Sequence, residues 1–115
     1  MKKIAIFAFN GDPMCFVHVL LNTLDMKAKG WDVRLIIEGN ATKTVAGLAD
    51  EKQPYHDLYT KVKDADLIDC VCKACSAKMG VLEQVTGQGL YLSDEMQGHP
   101  SMSRYLDEGF DIITF

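Results

Sequence analysis

Three of the four cysteines, Cys70, Cys72 and Cys75, fall within six positions, and the fourth, Cys15, stands apart. The Cys72-x-x-Cys75 spacing places two thiols one helical turn apart, close enough for a transient disulfide. A thiol where a strand ends and a helix begins faces oriented N–H groups and the positive end of a dipole. Both favour the thiolate, the nucleophilic form, and would favour an anionic persulfide equally. Lys73 and Lys78 add nearby positive charge. Sulfur transfer and disulfide exchange are the chemistries this pattern suits. Metal binding is an alternative. Cys70, Cys72 and Cys75 could supply three thiolates, with His99 or His18 as a fourth ligand. Structural zinc sites usually bring two ligand pairs, however, and the chain has no second Cys pair. A third alternative is plain packing, because free cysteine is among the most buried residue types. That suits Cys70 inside an apolar run and Cys15 on a helix flank better than it suits Cys72.

The other polar candidates are weaker. His18 and His56 lie on amphipathic stretches and read as surface or packing residues. His99, before Pro100 in a loop rich in Gly, Ser and Met, is the best placed imidazole, although a helix-capping role fits it more readily. Gly87-x-Gly89 is too short for a dinucleotide fingerprint. Asp94 and Glu95 are adjacent, so their side chains need not face each other, and they do not read as a catalytic pair.

The elements that must hold these groups are legible from hydrophobic pattern. Residues 3–9 are almost continuously apolar, as in a strand covered on both faces. Asp12 suits an N-cap and Pro13 the first helical position. Val17, Leu20, Leu21, Leu24 and Ala28 then recur at helical spacing until Gly30. A second strand covers 32–37, a third 66–71 and a last one 110–115. Residues 41–49 are weakly helical, and Pro54 opens a helix with Tyr55, Leu58, Tyr59 and Val62 on one face. A short helix follows Cys72 and runs to Met79. Leu90-Tyr91-Leu92 reads as a short strand, and Pro100 starts a helix with Met102, Tyr105 and Leu106 inward. Strands alternating with helices predict an α/β fold, a three-layer α/β/α sandwich with a mostly parallel sheet of four to five strands. Sites in such sheets form beyond the carboxyl ends of the strands. Asn10-Gly11-Asp12, Glu38-Gly39-Asn40 and Cys70 to Cys75 are expected to meet there.

The chain has 115 residues, 48% of them hydrophobic, which is one domain's worth spanning 1–115. With 12 Lys+Arg against 16 Asp+Glu, the net charge is −4. No basic cluster suits a phosphate backbone, so nucleic acid is not expected as a partner. No apolar run approaches the roughly 18–20 residues of a membrane span, and the first one stops at Asn10. No membrane partner and a reducing, cytoplasmic location are therefore expected. The apolar residues Met79, Val81, Leu82, Val85, Leu90 and Leu92 exceed what one small helix can bury, which predicts a homo-oligomer. No cofactor is called for.

Several stretches together resemble the DsrE/DsrF-like family, which includes TusD- and YchN-type proteins. They are Lys3-Ile4-Ala5-Ile6-Phe7, the long helix ending at Gly30, Trp31 to Ile37, Cys72 to Gly80, and Phe110 to Phe115. The resemblance covers nearly the full length, except that Gln88 to Ser103 matches nothing in the relay proteins and Cys70 is an extra thiol. It implies that Cys72, eight residues before Gly80, is the reactive cysteine that carries sulfane sulfur as a persulfide. Cys75 is then a resolving or alternate thiol. It also implies a trimer or hexamer served by sulfur donor and acceptor proteins. Such a protein is a carrier more than a turnover enzyme, with a sulfurtransferase activity left open. A small-ligand or metal-binding module, or a structural oligomer subunit without covalent chemistry, is the alternative.

Overall fold

The structure is a computed structural model describing residues 1–115. Five strands form one all-parallel sheet: β1 (Lys3–Ala8), β2 (Asp32–Ile37), β3 (Ile68–Cys72), β4 (Leu92–Ser93) and β5 (Asp111–Thr114). Their order across the sheet is β4-β3-β2-β1-β5. Six helices join them: α1 (Pro13–Ala28), α2 (Ala41–Leu48), α3 (His56–Asp64), α4 (Lys73–Lys78), α5 (Leu82–Gly87) and α6 (Met102–Asp107).

Strand order fixes the side on which each helix lies. From β1 to β4 the chain steps across the sheet in one direction, and right-handed crossovers then keep every connecting helix on one face. The larger core forms there. It joins Ile4, Ile6 and Ala8 of β1 and Val33, Leu35 and Ile37 of β2 with Phe16, Val19 and Leu20 of α1, Val45 of α2 and Tyr59 of α3. The step from β4 back to β5 runs the other way, so α6 lands on the opposite face. Its Tyr105 packs there with Ala5, Phe7, Ile36, Cys70 and Phe110. The layers are the expected α/β/α arrangement, with one outer layer far thinner than the other.

Local chemistry explains the boundaries. Asp12 caps α1 by accepting from the Met14 N–H at 2.8 Å, with Pro13 at the first helical position. Gly30, at φ +81°, takes the left-handed turn that ends this region of helix. The buried face of α1 is Phe16, Val19, Leu20 and Thr23. This corrects the expected face, since Leu21 is 49% exposed, and it also leaves Cys15 exposed rather than packed. The third strand ends on Cys72, one residue later than its apolar run suggests. Pro54 precedes α3 by two residues, with Tyr55 in the left-handed region at φ 71° between them. Leu106 of α6 faces outward, leaving Tyr105 as the residue that anchors this helix. Val81 and Val85 are buried, and Met79, Leu90 and Leu92 pack against the main core. The apolar surplus that argued for an oligomer is therefore largely absorbed within one chain. No helix is long and apolar enough to cross a membrane.

Candidate functional site

The carboxyl ends of β2, β3 and β4 lie side by side. The chain leaves β3 toward α4 on one face and leaves β4 toward α6 on the other. Neighbouring strands whose exits diverge in this way open a crevice, the usual place for a site in a parallel sheet. Each of the three exits contributes a polar side chain to it.

Cys72 is the last residue of β3 and the N-cap of α4, with extended backbone at φ −62° and ψ 122°. Its Sγ accepts the Cys75 N–H at 3.4 Å and lies 3.5 Å from the Gly98 carbonyl oxygen. Cys75, one turn along α4, is half-buried, whereas Cys72 is fully buried. His99 comes from the connection after β4. Its Nδ1 sits 3.0 Å from Cys72 Sγ and 3.8 Å from Cys75 Sγ. Glu38, directly after β2, brings a carboxylate oxygen to 3.9 Å from the same Nδ1. The four donor atoms all lie within 4.8 Å of one another.

His99 is held in place by its own loop. Met96 and His99 exchange two backbone hydrogen bonds, at 2.8 and 3.0 Å, across a two-residue turn. Gln97 and Gly98 both have positive φ, 49° and 91°, as a turn of this mirror-image type requires. The Gly98 carbonyl then accepts the Ala74 N–H at 2.8 Å, tying the turn to α4. A Cβ on Gly98 would lie 2.8 Å from the Ala74 Cβ, so only glycine permits this approach. Pro100 keeps the backbone of His99 extended. The capping role expected of His99 belongs instead to Ser101, whose hydroxyl accepts the Arg104 N–H at 3.4 Å.

Burial governs the electrostatics. It pushes the Cys72 thiol up to about 12, with the Cys75 side chain adding to the effect and the Cys75 N–H opposing it. The lowered thiol expected from the start of a helix is thus overturned, because one N–H does not offset desolvation. Burial likewise lifts the Glu38 carboxyl to about 7. Lys73 does not serve the thiols either, since it points to Asp94, 3.6 Å away on the surface. Glu95 pairs with Arg104, so Asp94 and Glu95 have separate partners.

Cys70 is excluded from the site. It lies two residues before the end of β3, inside the smaller core, where Tyr105 Oη is 3.5 Å from its sulfur, and burial pushes its thiol up to about 11. His18 lies on α1, exposed and outside the cluster. Asn10, Gly11, Asp12 and Asn40 do not reach it either. They line a separate cavity of about 690 Å³ together with Phe16, Leu20 and Tyr55. Sequence reasoning had placed Glu38 at a strand end but assigned it no chemistry. A carboxylate directly after the apolar run Leu35-Ile36-Ile37 was the available signal, as was the Gly98-His99-Pro100 triplet for the imidazole.

Comparison with known proteins places this chain in a family. A model of the DsrE/DsrF-like family matches residues 3–115. An uncharacterized protein of Methanocaldococcus jannaschii is 38% identical over 97 residues, covering 84% of this chain and 77% of that protein. An uncharacterized protein of Archaeoglobus fulgidus is 49% identical over 41 residues, covering 36% of this chain and 67% of its own length. Among solved structures, a conserved Bacteroides thetaiotaomicron protein of unknown function shares the fold, with a TM-score of 0.70 at 20% identity. It is matched over 99% of this chain and 95% of its own. The family match supports a role of the sulfur-relay type in general. The chain belongs to the DsrE/DsrF-like family.

Proposed function

We propose that this member of the DsrE/DsrF-like family carries sulfane sulfur as a persulfide on Cys72, in the cytoplasm, between donor and acceptor proteins. The observation that carries the reading is the 3.0 Å contact between Cys72 Sγ and His99 Nδ1, with a second thiol one turn away. At neutral pH a thiol pushed up to about 12 rests protonated, so it needs a base at the moment of reaction. The lone pair of His99 Nδ1, 3.0 Å away, takes that proton. The Cys72 thiolate attacks the outer sulfur of a donor persulfide, R–S–SH. A Cys72 S–S bond forms as the donor's S–S bond breaks. The donor leaves as a thiolate and recovers the proton from His99, giving Cys72–S–SH and R–SH. Burial beneath the Gly98–His99 loop limits competing attack by water and bulky thiols.

Two exits are open to the loaded sulfur. An acceptor thiolate that attacks the outer sulfur removes it and returns Cys72 as a thiol. Alternatively, Cys75 loses its proton to His99, 3.8 Å away, and attacks the inner sulfur. A Cys72–Cys75 disulfide forms, hydrosulfide departs, and a dithiol reductant restores both thiols. The assembly served by this chemistry is a trimer or hexamer in our reading.

The test is the fate of preloaded sulfur without any acceptor. Wild-type protein should release hydrosulfide and form an internal disulfide in equal amounts. Cys75→Ser should keep its sulfur at least about tenfold longer, because the attacking thiolate is gone. Equal release from both proteins would remove Cys75 from the mechanism.

A further inference from the structure

We infer that Glu38, Cys72, Cys75 and His99 form a closed site for a thiophilic divalent cation of the zinc class. This goes beyond sulfur carriage and stands whether or not that reading holds. Two sulfurs, one imidazole nitrogen and one carboxylate oxygen make a donor set suited to a tetrahedral d¹⁰ ion rather than to calcium or magnesium. Bond lengths of about 2.0–2.3 Å put tetrahedral donors about 3.3–3.8 Å apart. The contacts at His99 Nδ1, 3.0 and 3.8 Å to the sulfurs and 3.9 Å to the carboxylate, bracket that spacing. Small adjustments of these side chains would therefore complete the sphere.

A second observation points the same way. An imidazole Nδ1 has one proton or one lone pair, and so serves one partner well. Three groups crowd this one, from β2, β3 and α4. The Glu38 side chain is only 9% exposed, and His99 is the one basic side chain within 4 Å of its carboxylate. A cation among the four donors satisfies all of them at once. Their convergence does not depend on adjacency in sequence, since Glu38 and His99 come from different strand exits and the turn at Gly98 fixes one of them. This set differs from the one suggested by the cysteine cluster alone, because Glu38 stands where Cys70 was expected.

Four protein ligands leave no open position, so the bound ion would be held rather than used as a Lewis acid. It would also tie up the Cys72 Sγ thiolate in a bond and fill the space in which an outer sulfur would sit. Metal-bound and sulfur-loaded forms then exclude each other, and the metal acts as a cap on the thiol pair.

The probe is cobalt(II), titrated into the reduced, chelator-treated full chain and followed by absorption. We expect thiolate-to-cobalt charge transfer and intense tetrahedral d–d bands that saturate at one ion per chain and vanish when zinc is added. His99→Ala, Cys75→Ser and Glu38→Gln should each weaken cobalt binding by at least about tenfold, whereas Cys15→Ser should not change it. Circular dichroism identifies any variant that fails to fold, and half-exposed His99 and Cys75 give variants expected to remain folded. Weak octahedral bands, or affinity unchanged in both His99→Ala and Cys75→Ser, would overturn the site. Sulfur loading of the metal-free protein is read separately by intact mass. Its failure would leave the cobalt result standing, and a missing cobalt site would leave sulfur loading standing.

Discussion

At the scale of single residues, burial decides which thiol meets a reagent first. Cys15 is exposed and Cys75 half-buried, while Cys72 is covered and its thiol raised to about 12. Limiting iodoacetamide at neutral pH should therefore label Cys15 and Cys75 ahead of Cys72, by peptide mass. Alkylation of Cys72 should climb about tenfold per pH unit through pH 9, following its thiolate fraction. A rate that levels off below pH 8 would mean the thiol is activated at rest. Glu38 makes a separate pH prediction, for the metal-free protein. Its carboxyl titrates near 7 in the folded chain, against 4.5 when free. The folded state then holds more protons than the unfolded one between those values, and stability falls as pH rises across that window. The groups facing it are His99, Cys72 and Cys75. The loss amounts to at most about 3–4 kcal/mol, and Glu38→Gln should abolish most of it in urea unfolding followed from pH 4 to 8.

At the scale of elements, the turn at Gln97-Gly98 holds His99 beside the sulfur. Gly98→Ala introduces a Cβ 2.8 Å from the Ala74 Cβ at a φ of +91°. Gly89 has a similar φ of +76° with nothing within 4 Å. Gly89→Ala should cost about 1 kcal/mol of conformational strain, and Gly98→Ala clearly more, by urea unfolding. Gly98→Ala should also slow sulfur loading while Gly89→Ala does not. Equal effects of the two on loading would show that the turn does not position His99. Most elements were legible because their signals are local. Asp12-Pro13, Gly30 and the apolar runs of β1 and β2 mark boundaries without reference to the rest of the chain. The face of α1 was misread because Leu21 is apolar but lies outside the sheet contact, whereas Thr23 is buried by satisfying its hydroxyl on the Val19 carbonyl at 2.7 Å.

At the scale of the molecule, strand order determines the site. Cys72 and Cys75 announced themselves in sequence because they share one local motif. Glu38 and His99 lie 34 residues before and 27 residues after Cys72, and only the order β4-β3-β2 brings them to it. No periodicity encodes that order, which is why Cys70 looked like a ligand. Alternation gives Cys70 the same face as Cys72, but it sits two residues further back along β3, packed against Tyr105 and away from the strand's exit. Assembly is the remaining prediction at this scale. With Val81 and Val85 buried inside the chain, contacts between copies must use other apolar surface, such as exposed Met14, Leu21, Tyr91 and Met96. Sedimentation at micromolar concentration should show a trimer or hexamer, and a stable monomer would remove that part of the reading.

The most direct test of the account is where sulfane sulfur goes. Metal-free, reduced Cys75→Ser protein, which cannot expel its sulfur internally, should gain one sulfur atom per chain in intact mass when incubated with inorganic polysulfide, reversed by a dithiol reductant. Peptide mapping should place it on Cys72, and in that background Cys72→Ser should abolish the gain while Cys15→Ser and Cys70→Ser preserve it. Undiminished loading with Cys72→Ser, or sulfur mapped to Cys15 or Cys70, would contradict the assignment of Cys72 as the carrier.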